Sequence, residues 1–148
     1  MKVVNLLDAE PGEELIEGPF HHFGRPLGPE LGAELLGCGL YDVPSGARIW
    51  PYHWHAGNAE WLVVVRGRPT LRTPDGEREL APGDIVDFPP GEAGAHDVSN
   101  RTDEDVRVAI FSTLRSGYSV YPDSGKVSAL GRVFRVEDAV DYWDGEPG

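Results

Sequence analysis

From residue 31 to residue 114 the chain is a series of short apolar runs cut by turn-forming residues, and no other feature limits the fold so strongly. Thr70-Leu71-Arg72-Thr73 and Arg78-Glu79-Leu80 flank Pro74-Asp75-Gly76-Glu77, a hairpin signal. Pro82-Gly83-Asp84 reads as a tight turn, Ile85-Val86-Asp87-Phe88 as a strand closed by Pro89-Pro90-Gly91, and 106–112 as a further strand. Over 31–43 the alternation is strand-like, and Gly32, Gly37 and Gly39 within it predict a bend or bulge in a curving sheet. Closely spaced strands separated by turns predict an all-β antiparallel sandwich or barrel.

The flanks differ in kind. The core is expected to span about 31–114, with an N-terminal strap over 1–30 and a C-terminal extension over 115–148, all within one domain of 148 residues. Met1 to Leu7 reads as a short edge strand, and the proline- and glycine-rich stretch 19–29 as an irregular strap across the body. His21 and His22 are neighbours in that strap and are expected to be surface or packing histidines. After Leu114 an aromatic, polar segment is expected to pack over the outside. A last strand over 132–136 and one helical turn near Glu137 to Tyr142 should follow it.

The net charge of −12 argues against non-specific binding to nucleic acid or to an anionic membrane surface. Cys38 is the single cysteine, which excludes an internal disulfide and fits a reducing compartment; its small size suits a core position. No basic-then-apolar leader and no apolar run of membrane-spanning length is visible, so a cytoplasmic protein is expected.

Against this background one stretch carries chemistry. His53 and His55 are two apart, so on an extended strand both imidazoles face one way, roughly 7 Å apart at Cα. Ala56-Gly57-Asn58-Ala59 reads as a turn, and Glu60 opens the apolar strand Trp61-Leu62-Val63-Val64-Val65, whose return brings its carboxylate back to the pair. His96 lies downstream, between Gly94-Ala95 and Asp97-Val98-Ser99-Asn100. Three imidazoles and a carboxylate form a mixed N/O set suited to a divalent first-row metal ion. The plainer alternative is a set of scattered polar residues, which would leave a carboxylate without compensation in a sheet interior.

The arrangement resembles the two motifs of the cupin superfamily, in its small, single-domain, stand-alone form. Gly46, His53, His55, Glu60 and Gly67 match the first motif, with one extra residue between Gly46 and His53. Gly83-Asp84, Pro89-Pro90-Gly91, His96 and Asn100 match the second, with two extra residues between Gly91 and His96. The resemblance implies a double-stranded β-helix of the jelly-roll type. It also implies one divalent transition metal ion (Fe, Mn, Ni, Co, Cu or Zn) at His53, His55, Glu60 and His96.

Strand parity puts Leu62 and Val64 on the face of Glu60, which predicts an apolar pocket floor. Trp61, Val63 and Val65 face the other way, and a partner subunit in a homodimer is the expected cover. Trp50 stands at the mouth of the first motif as a candidate pocket residue, whereas Tyr52 and Trp54 are read as structural. Arg48 and Arg72 are candidate anchors for a carboxylate or phosphate. The expected function is to bind or transform a small oxygen-bearing molecule, through dioxygen chemistry, isomerisation, or decarboxylation or elimination. No residue stands out as a general acid or base, which keeps a rival open: a non-catalytic binding or sensor module for a sugar or small organic acid. A metal-free structural role is the third reading.

Overall fold

The computed structural model describes residues 1–147 as two layers of antiparallel strands. The strands are β1 (Glu13–Glu17), β2 (Phe20–Pro26), β3 (Leu36–Val43), β4 (Trp54–His55), β5 (Glu60–Arg66), β6 (Thr70–Thr73), β7 (Gly76–Glu79), β8 (Ile85–Phe88), β9 (Asp97–Ser99), β10 (Val106–Thr113), β11 (Ser119–Tyr121), β12 (Lys126–Ala129) and β13 (Arg132–Arg135). One layer is the six-stranded sheet β1-β2-β3-β10-β5-β8; the other comprises β7-β6-β9 and β13-β12-β11-β4. The all-β cupin architecture expected from the sequence is therefore present. No helix among the described residues is long and apolar enough to cross a membrane.

Alternation along the strands builds the interior. Leu62 and Val64 of β5, Val106 and Val108 of β10, and Val43 of β3 point inward, where they meet Ile49, Leu71, Leu80 and Val98. These side chains are all but inaccessible, and burying each large one contributes roughly 1.5–3 kcal/mol. Asn100 fastens one end of the layer by donating to the Val43 and Glu104 carbonyls.

The opposite face of the large sheet is also covered, and the cover corrects two expectations. Leu40 and Ala109, with Leu27, form a second cluster against which Val63, Val65, Val4, Leu6 and Ala9 pack. The chain's own N-terminus thus lies over Val63 and Val65, where a partner subunit was expected, while Trp61 stays exposed and donates its indole N–H to Asp87. Residues 1–7 do not form the expected edge strand. Within this stretch Val4 and Leu6 serve as a lid, and the Leu6 and Leu7 carbonyls accept from Arg107, which holds Asp42 in a buried two-pronged ion pair (2.7 and 2.8 Å).

The strap is regular as well. β2 and the short helix α1 (Leu27–Leu31) occupy the stretch expected to be irregular. Pro19 precedes β2 and Pro26 ends it, so neither interrupts the ladder, and Gly24 lies inside it opposite Tyr41. At the C-terminus β13 closes one residue earlier than expected, and the helical turn is a 3-10 turn over Val136–Asp138.

Candidate metal centre

His53 does not sit in a named strand, but an isolated antiparallel bridge ties it to His96 through His53 N–H to His96 O (3.1 Å) and His96 N–H to His53 O (2.9 Å). That double bond places two imidazoles from distant parts of the sequence side by side. The two extra residues before His96 are absorbed by a 3-10 turn over Glu92–Gly94, closed by Gly94 N–H to Gly91 O and Ala95 N–H to Glu92 O. Gly91 N–H in turn donates to His55 O, locking the turn to β4. His55 rides on β4 and Glu60 opens β5, so the four donors come from three backbone segments: 53–55, β5 and the stretch just before β9.

The four side chains converge. His53 Nε2 is 3.1 Å from His55 Nε2, and Glu60 Oε2 is 3.2 Å from His55 Nε2 and 3.5 Å from His96 Nε2. Ligand atoms of His53, Glu60 and His96 all lie within 4.8 Å of one another. Donors held about 2.1 Å from one ion stand about 3.0–3.4 Å apart at neighbouring tetrahedral or octahedral positions; His55 Nε2 meets that spacing to His53 and to Glu60 (3.1 and 3.2 Å), and Glu60 to His96 is slightly wider at 3.5 Å.

The outer ring nitrogens say which lone pairs face inward. His53 Nδ1 donates to Pro51 O (2.8 Å) and His96 Nδ1 to Gly94 O (2.9 Å), so both neutral rings present an unprotonated Nε2 to the cluster. His55 Nδ1 shares a hydrogen bond with Ser119 Oγ (2.8 Å). Burial, reinforced by the other two imidazoles, holds His53 down at about 4. Burial likewise lowers His96. Burial pushes Glu60 up, but the His55 hydrogen bond and the surrounding imidazoles outweigh it and leave the carboxyl below its usual value. Neutral imidazoles around an ionised carboxylate are the protonation states a divalent cation requires.

A cavity of about 260 Å³ opens in front of the cluster, walled by Tyr41, Trp50, Pro51, Ile110 and Tyr121. Trp50 lines this cavity, while Tyr52 and Trp54 lie off its wall, Trp54 against Tyr118. The structure does not bring Leu62, Val64, Arg48 or Arg72 to this cavity. Leu62 and Val64 have the parity of Glu60 but lie deeper along β5, inside the closed core. Arg48 binds Asp97, and Arg72 grips Asp123 (2.6 and 2.9 Å) over the Tyr52 ring, both on another side of the molecule.

Several residues near the cluster carry no sequence motif. Ser119 and Tyr121 arrive on β11, which pairs with β4; the tail is thus part of the site as well as an outer wrapping. His22 is buried in β2, packed edge-on to Trp50 with its Nδ1 lacking a partner, and is not the loop histidine expected. The signals that mark them are faint. Ser119 and Tyr121 repeat the two-residue spacing of His53 and His55, and Tyr41 shares the parity of Val43.

Comparison with known proteins agrees with this geometry. The cupin domain family matches residues 39–125. A search of curated proteins gives no match. Among solved structures, the chain is similar to a protein provisionally named a sugar phosphate isomerase from Acidithiobacillus ferrooxidans, with 25% identity, 88% of each chain covered and a TM-score of 0.79. It is also similar in fold to a cupin-superfamily sugar phosphate isomerase from Silicibacter pomeroyi (21% identity, 93% of this chain and 95% of that one, TM-score 0.78). A third likeness is to the polyketide cyclase RemF from Streptomyces resistomycificus (22% identity, 93% and 89% covered, TM-score 0.64). With both histidine motifs, the two-layer β architecture and a family match over more than half its length, this chain belongs to the cupin family.

Proposed function

We propose that His53, His55, Glu60 and His96 hold one divalent transition metal ion and that a small oxygen-bearing molecule is bound or transformed in front of it. The observation that carries this reading is the convergence of imidazole lone pairs on a carboxylate, with outer nitrogens fixed by Pro51 O, Gly94 O and Ser119 Oγ. Without a cation or a shared proton, two Nε2 atoms 3.1 Å apart would repel each other. A bound ion supplies Lewis-acid polarisation of an oxygen ligand.

The chain's own contribution is positional. Tyr121 and Phe88 sandwich the histidine rings, Phe88 lying parallel to His96 at 3.8 Å and Tyr121 nearly parallel to His53 at 5.7 Å. Trp50, Ile110 and Tyr41 wall the remaining side. The name of the Acidithiobacillus ferrooxidans relative favours isomerisation among the reaction classes open to such a site. Elemental analysis of protein purified without added metal tests the proposal: a stoichiometric transition metal, lost in His96→Ala, is expected, and its absence refutes it.

We further propose that the chain is one cupin domain working in a reducing, cytoplasmic setting, and that two copies associate. Association is supported by the apolar side chains left exposed at the C-terminal end, among them Val133, Phe134, Val136, Tyr142 and Trp143.

A further inference from the structure

The cavity in front of the cluster is not closed. Tyr41, Trp50, Glu60 and Ile110 also line a larger trough of about 590 Å³, which runs outward along the inner face of β10, β3 and β2. The sheet register shows why it exists. Glu60 lies opposite Ser112, which lies opposite Gly37; the next row is Leu62, Ile110, Gly39 and Pro26. The row beyond that ends at Tyr41 and Gly24. Three glycines thus occupy inward positions on adjoining strands; the Tyr41 ring lies across Gly39 and Ser112 Oγ beside Gly37, so the floor near the carboxylate is made of small or flat groups in place of bulky aliphatic side chains.

The walls of the trough are apolar and flat. Leu15, Leu36, Ile110 and Leu114 provide aliphatic surface, with Trp50 and His22 edge-on at 4.5 Å. A Cβ on Gly24 would lie 3.5 Å from His22 Nε2, so that nitrogen borders the space as one polar contact. The charges present are the wrong sign for an anion. Glu13, Glu14 and Glu60 line the trough, and Arg25 is the one arginine or lysine among its described lining residues. Arg25 is already taken: its guanidinium donates to both Glu30 carboxylate oxygens (3.1 and 3.0 Å) and to Glu10 O (3.2 Å). A phosphoryl group lying along the trough, away from an ion held at Glu60, needs a guanidinium, an ammonium or a nest of backbone N–H groups to offset its charge.

We propose that this trough is the substrate site and that it takes an uncharged, mainly apolar ring-bearing molecule, with a hydroxyl or carbonyl end directed at Glu60 and its neighbours, in place of a phosphorylated sugar. The proposal rests on the metal-site reading for the direction of the bound molecule, but the shape and charge of the trough stand apart from it. It separates this chain from the relatives named for sugar phosphates, whose fold it shares. Volume supports it too, since small-molecule pockets fall at about 300–1,000 Å³.

Calorimetry with 2,6-naphthalenediol and with fructose 6-phosphate, on full-length protein with and without added Zn(II), tests it. The diol should bind at least about tenfold more tightly than the phosphate in both preparations. Leu36→Trp, which fills the trough from its exposed rim, should weaken the diol by a similar factor, and Leu15→Trp on β1 should do the same from the other wall. Fructose 6-phosphate binding as tightly as the diol, or no diol binding at all, overturns the proposal. So does diol binding unaffected by both well-folded variants. Elemental analysis on the same samples reads the metal site independently: a protein that holds no ion yet prefers the diol removes the metal reading and leaves this one standing.

Discussion

Tyr121 lies almost flat on His53, ring centroids 5.7 Å apart and planes 22° from parallel. A residue from the C-terminal extension therefore roofs a histidine from the first motif. Two positions earlier Ser119 Oγ meets His55 Nδ1 at 2.8 Å, so one three-residue strand both covers and orients the cluster.

Removing the Ser119 hydroxyl should loosen the metal without deleting a ligand. Outer partners of ligating histidines typically change metal affinity 10–100-fold, so Ser119→Ala should weaken Zn(II) by about tenfold or more. His96→Ala should remove measurable binding. Competition against a chromophoric chelator reads both, and unchanged affinity in Ser119→Ala would show that β11 plays no part in the centre.

Acid should destabilise the metal-free protein in a defined window. His53 is held from its usual 6.5 down to about 4 by burial and by its neighbouring imidazoles. Between those values the unfolded chain takes up a proton that the folded chain refuses, so stability falls as pH drops from 6.5 towards 4. The loss attributable to this group is about 3 kcal/mol. Urea unfolding across that range, compared with His53→Gln, checks it: the variant should show a shallower slope.

Arg107 is the link between the core sheet and the N-terminal lid. It is 4% exposed and bonded at once to Asp42 and to the Leu6 and Leu7 carbonyls. Arg107→Ala should cost about 3 kcal/mol, since it leaves Asp42 buried with only the exposed Arg66, 3.6 Å away, to offset its charge. The double variant Asp42→Asn with Arg107→Met should recover part of that loss in urea titrations. Hydrogen exchange should show residues 1–9 opening in the single variant.

Association of two copies is checked by light scattering. The wild-type protein should run at twice the chain mass, and Phe134→Glu, on the exposed C-terminal hairpin, should shift it towards one chain. A monomer at all concentrations would rule the association out.

What could be seen in the sequence follows from how far each relationship reaches along the chain. His53, His55, Glu60 and His96 were legible because strand parity and two compact turns set their directions locally. The strand series from β5 to β10 was legible for the same reason. Ser119, Tyr121, His22 and Tyr41 were not, since they reach the site through pairing of β11 with β4 and of β2 with β3. Leu62 and Val64 had the right face and the wrong depth. Arg48 and Arg72 had the right chemistry for an anion, but Asp97 and Asp123 had already claimed them. The irregular strap expected over 19–29 failed because prolines at strand ends break nothing, and Gly24 pairs within the ladder opposite Tyr41.

Gly24, Gly37 and Gly39 give the trough its outline, and none of them contributes a donor to the cluster. A methyl at Gly24 would meet His22 and Tyr41 at ordinary contact distance, whereas one at Gly37 or Gly39 would displace Ser112 or Tyr41 and so recast the wall without touching a donor of the cluster. On the proposed reading, the shape of the opening and the groups that react are thus set by separate positions in the chain.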